Sequence, residues 1–330
     1  MKINLSNKIL KYRAWHSGIV CGAFSGITFG LYSAVVAFIL TKDPFVGAVS
    51  LFAAPIVVSA INDSLSALWL LICNIYKGRL KKAIRSLLTK PGLIIICGAV
   101  LGGPVAGGAY LAAINSAGTA AIPISALYPI FGAAFAFLFL KQTVSKHMIA
   151  GVLLCIIGAA VISFSGVENT NVNFPLGIIC AFIAAIGWGA EGVLAVFATS
   201  KINYSVAVNI RQGVSGFVFL FIFIPIINAN RLFLDVIVNF NVVILIAVTA
   251  VLSAATFILW YRANRTAGVA AGMSLNITYV LWGVVFTAVF TKEPLMPFVI
   301  IGALLIAFGA VLVSLNSNKY EKERFNKNGF

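Results

Sequence analysis

The chain has 330 residues, 61% of them hydrophobic and only 9% charged, with a formal net charge of +15. Soluble domains carry about 25% charged residues, so this composition excludes a soluble globular protein and marks an integral membrane protein. The basic residues are spread between apolar runs and not gathered in one patch, which excludes nucleic acid as the expected partner.

The opening segment, MKINLSNKILKYRAWHSG, lacks the apolar core and small-residue cleavage site of a signal peptide. Residues 1–17 read as a cytoplasmic amphipathic lead-in, with Lys2, Lys8, Lys11 and Arg13 on the polar side. Ten apolar runs of about 20 residues follow, each long enough to span a bilayer. They fall at 18–40, 45–76, 92–114, 118–140, 147–165, 174–198, 205–228, 241–263, 267–290 and 295–316. The expected fold is an all-α membrane protein of ten transmembrane helices. The third run carries Gly102-Gly103-Pro104 and Gly107-Gly108, which suit close helix packing, a bend, or both.

The loops set the orientation. The N-terminus, residues 77–91, 141–147, 199–204, 262–266 and the tail after 316 hold 19 of the 23 Lys and Arg residues. The opposite loops hold Lys42, Arg231 and Lys292. By the positive-inside rule both termini are cytoplasmic. The basic amphipathic segment from Lys77 to Lys90 is expected to lie on the inner leaflet. The five cysteines all sit within apolar runs, without CxxC spacing, and read as small buried hydrophobes.

The chain also repeats itself. Lys141 matches Lys292, Tyr128 matches Tyr279, Gly151 matches Gly302, Gly158 matches Gly309 and Ser163 matches Ser314. Nearby offsets place Tyr110 on Trp260, Gly118 on Gly268, Phe29-Gly30 on Trp188-Gly189 and Phe38 on Phe197. Residues 18–166 and 174–316 are therefore read as two five-helix repeats, followed by a charged tail at 317–330. An odd number of spans inverts the second repeat against the first, which is an architecture of secondary transporters.

Three charged residues fall within spans away from their ends: Asp63, Glu191 and Arg211. A charge near the bilayer centre costs roughly 2.5–3.5 kcal/mol on insertion scales, so each needs a reason to be there. Glu191 lies one turn from Trp188 on one helix face, an arrangement suited to a small organic cation. The plainer reading is a structural ion pair between Glu191 and Arg211 across the turn at 199–204. Asp63 has Asn62, Ser64 and Ser66 as polar company. Phe29, Tyr128, Trp188 and Tyr279 stand beside small or helix-bending residues, and Tyr279 shares a face with Asn276 and Trp282. Most membrane aromatics only pack or anchor, but a cage of this kind attracts a quaternary ammonium by roughly 0.5–2 kcal/mol per ring. Paired intramembrane aspartates and a Walker A motif are missing, and His16 and His147 lie at helix ends. Neither an enzyme, a metal nor a cofactor is expected.

The halves resemble the drug/metabolite transporter superfamily, with EamA-like domains. GAVLGGPVAGGAYLAAINSAG, SALYPIF, GIICAFIAAIGWGAEGVLAVFA, NIRQ and LNITYVLWGVVF resemble the Lic-type bacterial choline permeases within it. The chain departs from that pattern at Phe29, where a Trp is expected, and at Ala112, where an aromatic is expected and Tyr110 stands nearby. The resemblance implies a permease of the bacterial cytoplasmic membrane that imports choline or a related quaternary amine with protons. Substrate would be held by Glu191, Trp188, Phe29, Tyr128, Tyr279, Trp282, Asn276 and Asp63, with Glu191 and Asp63 as proton carriers. The alternative is an exporter of amino acids or other metabolites, in which Arg211 would hold a carboxylate.

Overall fold

The computed structural model describes residues 2–46, 52–117, 121–142, 144–164, 174–292 and 297–315. Among them every regular element is helical. In chain order these are α1 (Lys2–Leu40), α2 (Ala53–Tyr76), α3 (Leu80–Leu87), α4 (Lys90–Val100), α5 (Ala106–Ala117), α6 (Ala121–Ser125), α7 (Tyr128–Leu140) and α8 (Lys146–Phe164). Then come α9 (Phe174–Thr199), α10 (Tyr204–Val218), α11 (Ile224–Ile226), α12 (Asn230–Val238), α13 (Phe240–Thr266), α14 (Val269–Asn276), α15 (Tyr279–Thr291) and α16 (Pro297–Leu315). Among the described residues seven stretches are long and apolar enough to cross a membrane: Arg13–Leu40, Ala53–Tyr76, Lys90–Ala113, Phe174–Thr199, Tyr204–Ile226, Phe240–Thr266 and Val269–Phe290. Tyr128–Leu140, Lys146–Ile162 and Pro297–Val313 are shorter apolar helices. The protein is a multi-pass membrane protein.

Local chemistry explains most boundaries. Thr89 caps α4 by accepting from the Gly92 N–H at 3.3 Å, Asn203 caps α10 through the Ser205 N–H, and Asn239 caps α13 through the Val242 N–H. Gly78, at φ 65°, ends α2 in a left-handed turn. Lys141 and Lys292 close α7 and α15 in the same left-handed conformation, at φ 53° and 59°.

Several expected spans are interrupted. In the run at 45–76 the described helix is Ala53–Tyr76, and residues 47–51 lie outside the described residues. The run at 118–140 breaks between Ser125 and Tyr128, and the run at 267–290 breaks between Asn276 and Tyr279. Leu101–Val105 and Phe219–Phe223 are π-helical turns. Pro104, which has no N–H, sits inside the first of them. The short α12 arises where no element was expected. At the N-terminus, α1 runs without a break through the lead-in and the first span. The tail after 316 and Gly118 lie outside the described residues.

Glycines set the closest helix approaches. On α1, Gly30 lies against the Trp282 and Gly283 backbone of α15, and on α9, Gly189 lies against Phe131 and Gly132 of α7. The paired helices α8 and α16 meet through Gly151 on Gly309 and Gly158 on Gly302. A side chain at Gly30, Gly189, Gly151, Gly158, Gly302 or Gly309 would collide with backbone. The outer surface is apolar, with Phe139, Ile226, Leu304 and Phe308 among its exposed residues, as lipid requires. Cys21 and Cys155 are buried, but Cys73 and Cys97 lie exposed on apolar helices. The expectation of five buried cysteines fails for these two, because a lipid-facing position accepts a small hydrophobe as readily as a core does.

Candidate substrate-binding site

The charged residues of three helices converge. Arg211 on α10 donates through Nε to Glu191 Oε1 on α9 at 2.9 Å, and its Nη1 lies 3.5 Å from Asp63 Oδ2 on α2. All three are buried, Glu191 being only 1% exposed. Two carboxylates therefore face one guanidinium in an apolar interior. Removing ions from water is expensive, and such a centre survives only when its remaining donors and acceptors are satisfied.

Neighbouring groups do much of that. Tyr261 on α13 donates its hydroxyl to Glu191 Oε1 at 2.9 Å. Arg211 Nη1 donates to Gln212 Oε1 at 2.6 Å. The Gln212 amide then donates to Ser66 Oγ at 2.9 Å and Ser253 Oγ at 2.8 Å. Asn62 donates to Asp63 Oδ1 at 3.1 Å and accepts from the Thr249 hydroxyl. The Phe257 ring lies 3.9 Å from the guanidinium carbon, a cation–π contact in a desolvated place. Glu191 Oε2 alone among the carboxylate oxygens of this centre is buried without a partner. It points at Gly102, where a Cβ would overlap it.

That same glycine connects the ionic centre to the aromatic residues. In the π turn the Ala106 N–H reaches the Leu101 and Gly103 carbonyls. The Gly102 carbonyl accepts from Trp188 Nε1 at 2.9 Å. Trp188 also meets Tyr110 at 5.3 Å and, edge to face, Tyr128 at 6.1 Å between ring centroids. Tyr128 has one hydroxyl proton to share between the Met273 carbonyl and Asn276 Oδ1, each at 3.0 Å. Asn276 donates onward to Ser25 at 3.1 Å. Tyr128 and Asn276 thus tie together the two broken helices, α6–α7 and α14–α15.

The remaining expected residues fall in a second group. Phe29 on α1 packs edge to face on Tyr279 at 4.7 Å and is stacked with Tyr32 at 5.5 Å. The Trp282 ring stacks on Phe286 at 6.1 Å instead of on these rings. Phe29, Tyr110, Trp188, Tyr279 and Trp282 are all half-buried, in contrast to the sealed ionic centre. Sequence reasoning counts Tyr32 and Tyr261 among the membrane aromatics without ranking them, and it misses Phe257 and Ser253. They are ordinary membrane-helix residues whose importance comes only from what other helices bring to them. Among the described residues no cluster of metal-ligating side chains occurs.

Comparison with known proteins places these features in context. Residues 175–315 match the EamA-like transporter family. Protein LicB of Haemophilus influenzae is 27% identical over 214 residues, which cover 64% of this chain and 72% of LicB. A crystal structure of another protein superposes with a TM-score of 0.70 over 90% of this chain and 97% of its own. At 14% identity that likeness concerns the fold alone.

Proposed function

Because the chain belongs to the drug/metabolite transporter superfamily and is an EamA-type transporter of small molecules, we propose that its substrate is choline or a closely related quaternary amine. On this reading the chain imports that cation, coupled to protons, by alternating access. Ten helices form two inverted repeats, 18–166 and 174–316, with both termini cytoplasmic. The observation that carries the proposal is the excess of carboxylate over guanidinium beside the aromatic set. Asp63 and Glu191 share a single Arg211. An added positive charge, a substrate ammonium or a proton, offsets the surplus. Phe29, Tyr128, Trp188, Tyr279 and Trp282 supply π faces for the ammonium, and Asn276 a polar edge. Glu191 and Asp63 are the groups to take up a proton.

The paired contacts support the repeat reading. Gly30 with Trp282-Gly283 and Gly189 with Phe131-Gly132 are the same contact under the offsets that relate the halves. The helix breaks before Tyr128 and Tyr279 are also mates. Discontinuous helices of this kind mark substrate sites in inverted-repeat transporters. The match to LicB agrees with the resemblance to choline permeases. Arg211, held by two carboxylates, lends nothing to the amino-acid alternative.

Radiolabelled choline flux into proteoliposomes tests the proposal. Saturable uptake, faster with an acid exterior, is expected. Absence of saturable uptake with and without the gradient would sink it.

A further inference from the structure

A cavity of about 490 Å³, lined by none of the residues of the ionic centre, lies between α3 and the turn joining α9 to α10. Four cations line it: Arg79, Lys82, Arg85 and Lys201. The segments 77–91 and 199–206 that build it contain no Asp or Glu. Thr89 and Asn203, the cap residues of α4 and α10, line it as well. The positive ends of two helices are therefore directed at the cavity. Arg79 is already held at its rim by donating to Asn203 Oδ1 at 3.2 Å. Four like charges around one hollow repel one another, and an anion relieves that repulsion.

The surroundings narrow the anion further. Leu80, Ile84, Leu87 and Leu88 are all exposed. They occupy positions i, i+4, i+7 and i+8, so they form one apolar face of α3 and its end. Lys82 and Arg85 lie on another face. A ligand with an anionic head and hydrocarbon tails satisfies both surfaces at once.

We propose that this pocket is a phosphate site, occupied by the head group of an anionic phospholipid whose chains lie along the apolar face of α3. The site fastens α3 to the α9–α10 turn through a lipid, and so connects bilayer composition to the helices that carry Glu191 and Arg211. It is independent of the choline reading, because binding is read without transport.

Purified full-length protein is titrated with phosphatidylglycerol, with phosphatidylcholine and with inorganic phosphate, and binding is followed by native mass spectrometry and thermal unfolding. Phosphatidylglycerol is expected to bind and raise the unfolding temperature; phosphatidylcholine is not. Combining Arg79→Gln, Lys82→Gln and Arg85→Gln should weaken binding by about fivefold per cation, roughly hundredfold in all. Combining Lys77→Gln, Lys81→Gln and Lys90→Gln removes as much charge outside the pocket and should leave binding near wild type. If the pocket triple variant does not fold, Lys82→Gln alone is read the same way. Equal binding of both lipids, or equal losses in both triple variants, overturns the site. Stabilisation by inorganic phosphate but not by phosphatidylglycerol overturns the lipid as occupant.

Discussion

Arg211 donates to or pairs with Glu191, Asp63 and Gln212, and it packs on Phe257. Replacing it with Met strands two buried carboxylates, a loss of roughly 3–5 kcal/mol. A marked fall in the thermal unfolding midpoint of Arg211→Met is the expected result, and an unchanged midpoint would contradict the geometry. Arg211→Lys should recover only part of the loss, because an ammonium cannot span the same fork of acceptors. At Trp188 two contributions separate. Trp188→Phe keeps a π face and loses the bond to the Gly102 carbonyl, about 0.5–1.5 kcal/mol of stability. Trp188→Ala loses the ring as well, which should weaken choline binding by up to roughly thirtyfold. Isothermal titration of both variants separates the two effects. Charges were legible at this scale because Asp63, Glu191 and Arg211 stand out against apolar spans. The meeting of Asp63 with Arg211 was not, since 148 positions separate them. Ser253 was invisible, and Tyr261 stood unranked among the aromatics, for a related reason: a neutral polar group in a helix carries no large desolvation signal until its partners are known.

Three of the helix interruptions carry residues of the candidate site. The π turn at Leu101–Val105 offers the Gly102 carbonyl to Trp188 and leaves the Gly102 Cα open to Glu191 Oε2. Gly102→Ala must push the carboxylate away from Arg211, an overpacking loss of about 1–3 kcal/mol. Uptake should fall at least tenfold while the protein still assembles, as radiotracer flux and size-exclusion profiles of the same preparation will show. Tyr128→Phe tests the link between the broken helices. It removes a bond to Met273 or Asn276, each 3.0 Å away, and should lower stability by about 0.5–1.5 kcal/mol. An effect on uptake much larger than on stability would assign Tyr128 to the transport step. The existence of most apolar helices could be read from their length. Their breaks could not, because an apolar run looks continuous in composition whether or not its backbone turns. Pro104 and Pro129 hinted at bends, but the gap between Asn276 and Tyr279 has no proline to announce it.

For the whole molecule, the repeat offsets are read from scattered Gly, Lys and Tyr matches, and the positions they pair have like surroundings in the structure. Lys141 and Lys292 adopt the same left-handed conformation, and Gly151 on Gly309 accompanies Gly158 on Gly302. The sidedness rests on loop charge. It predicts that a cysteine placed at Lys82 reacts with a membrane-impermeant maleimide only after cells are opened. Labelling of intact cells would reverse the assigned orientation. Energetics at this scale follow from the cationic substrate proposed above. A potassium diffusion potential of about 100 mV, inside negative, is worth about 2.3 kcal/mol per charge, or roughly fiftyfold accumulation. Proteoliposomes containing the protein should bring choline to that ratio without a pH gradient if one net charge crosses, and exceed it with an acid exterior if protons accompany the substrate.

The approach of Gly30 to Trp282 also constrains inheritance. At this crossing the space left for a side chain is taken up by the Trp282 and Gly283 backbone, and the mirror crossing at Gly189 is closed by Phe131 and Gly132. A lineage that gains a methyl at one of these glycines can keep its packing only by shifting the opposing helix. Among descendants of this chain, a change at residue 30 should therefore come with a change in the facing 282–283 segment, and a change at 189 with one in the 131–132 segment. The two groups should drift independently of each other, so a family tree of aligned relatives would carry two separate records of the same crossing.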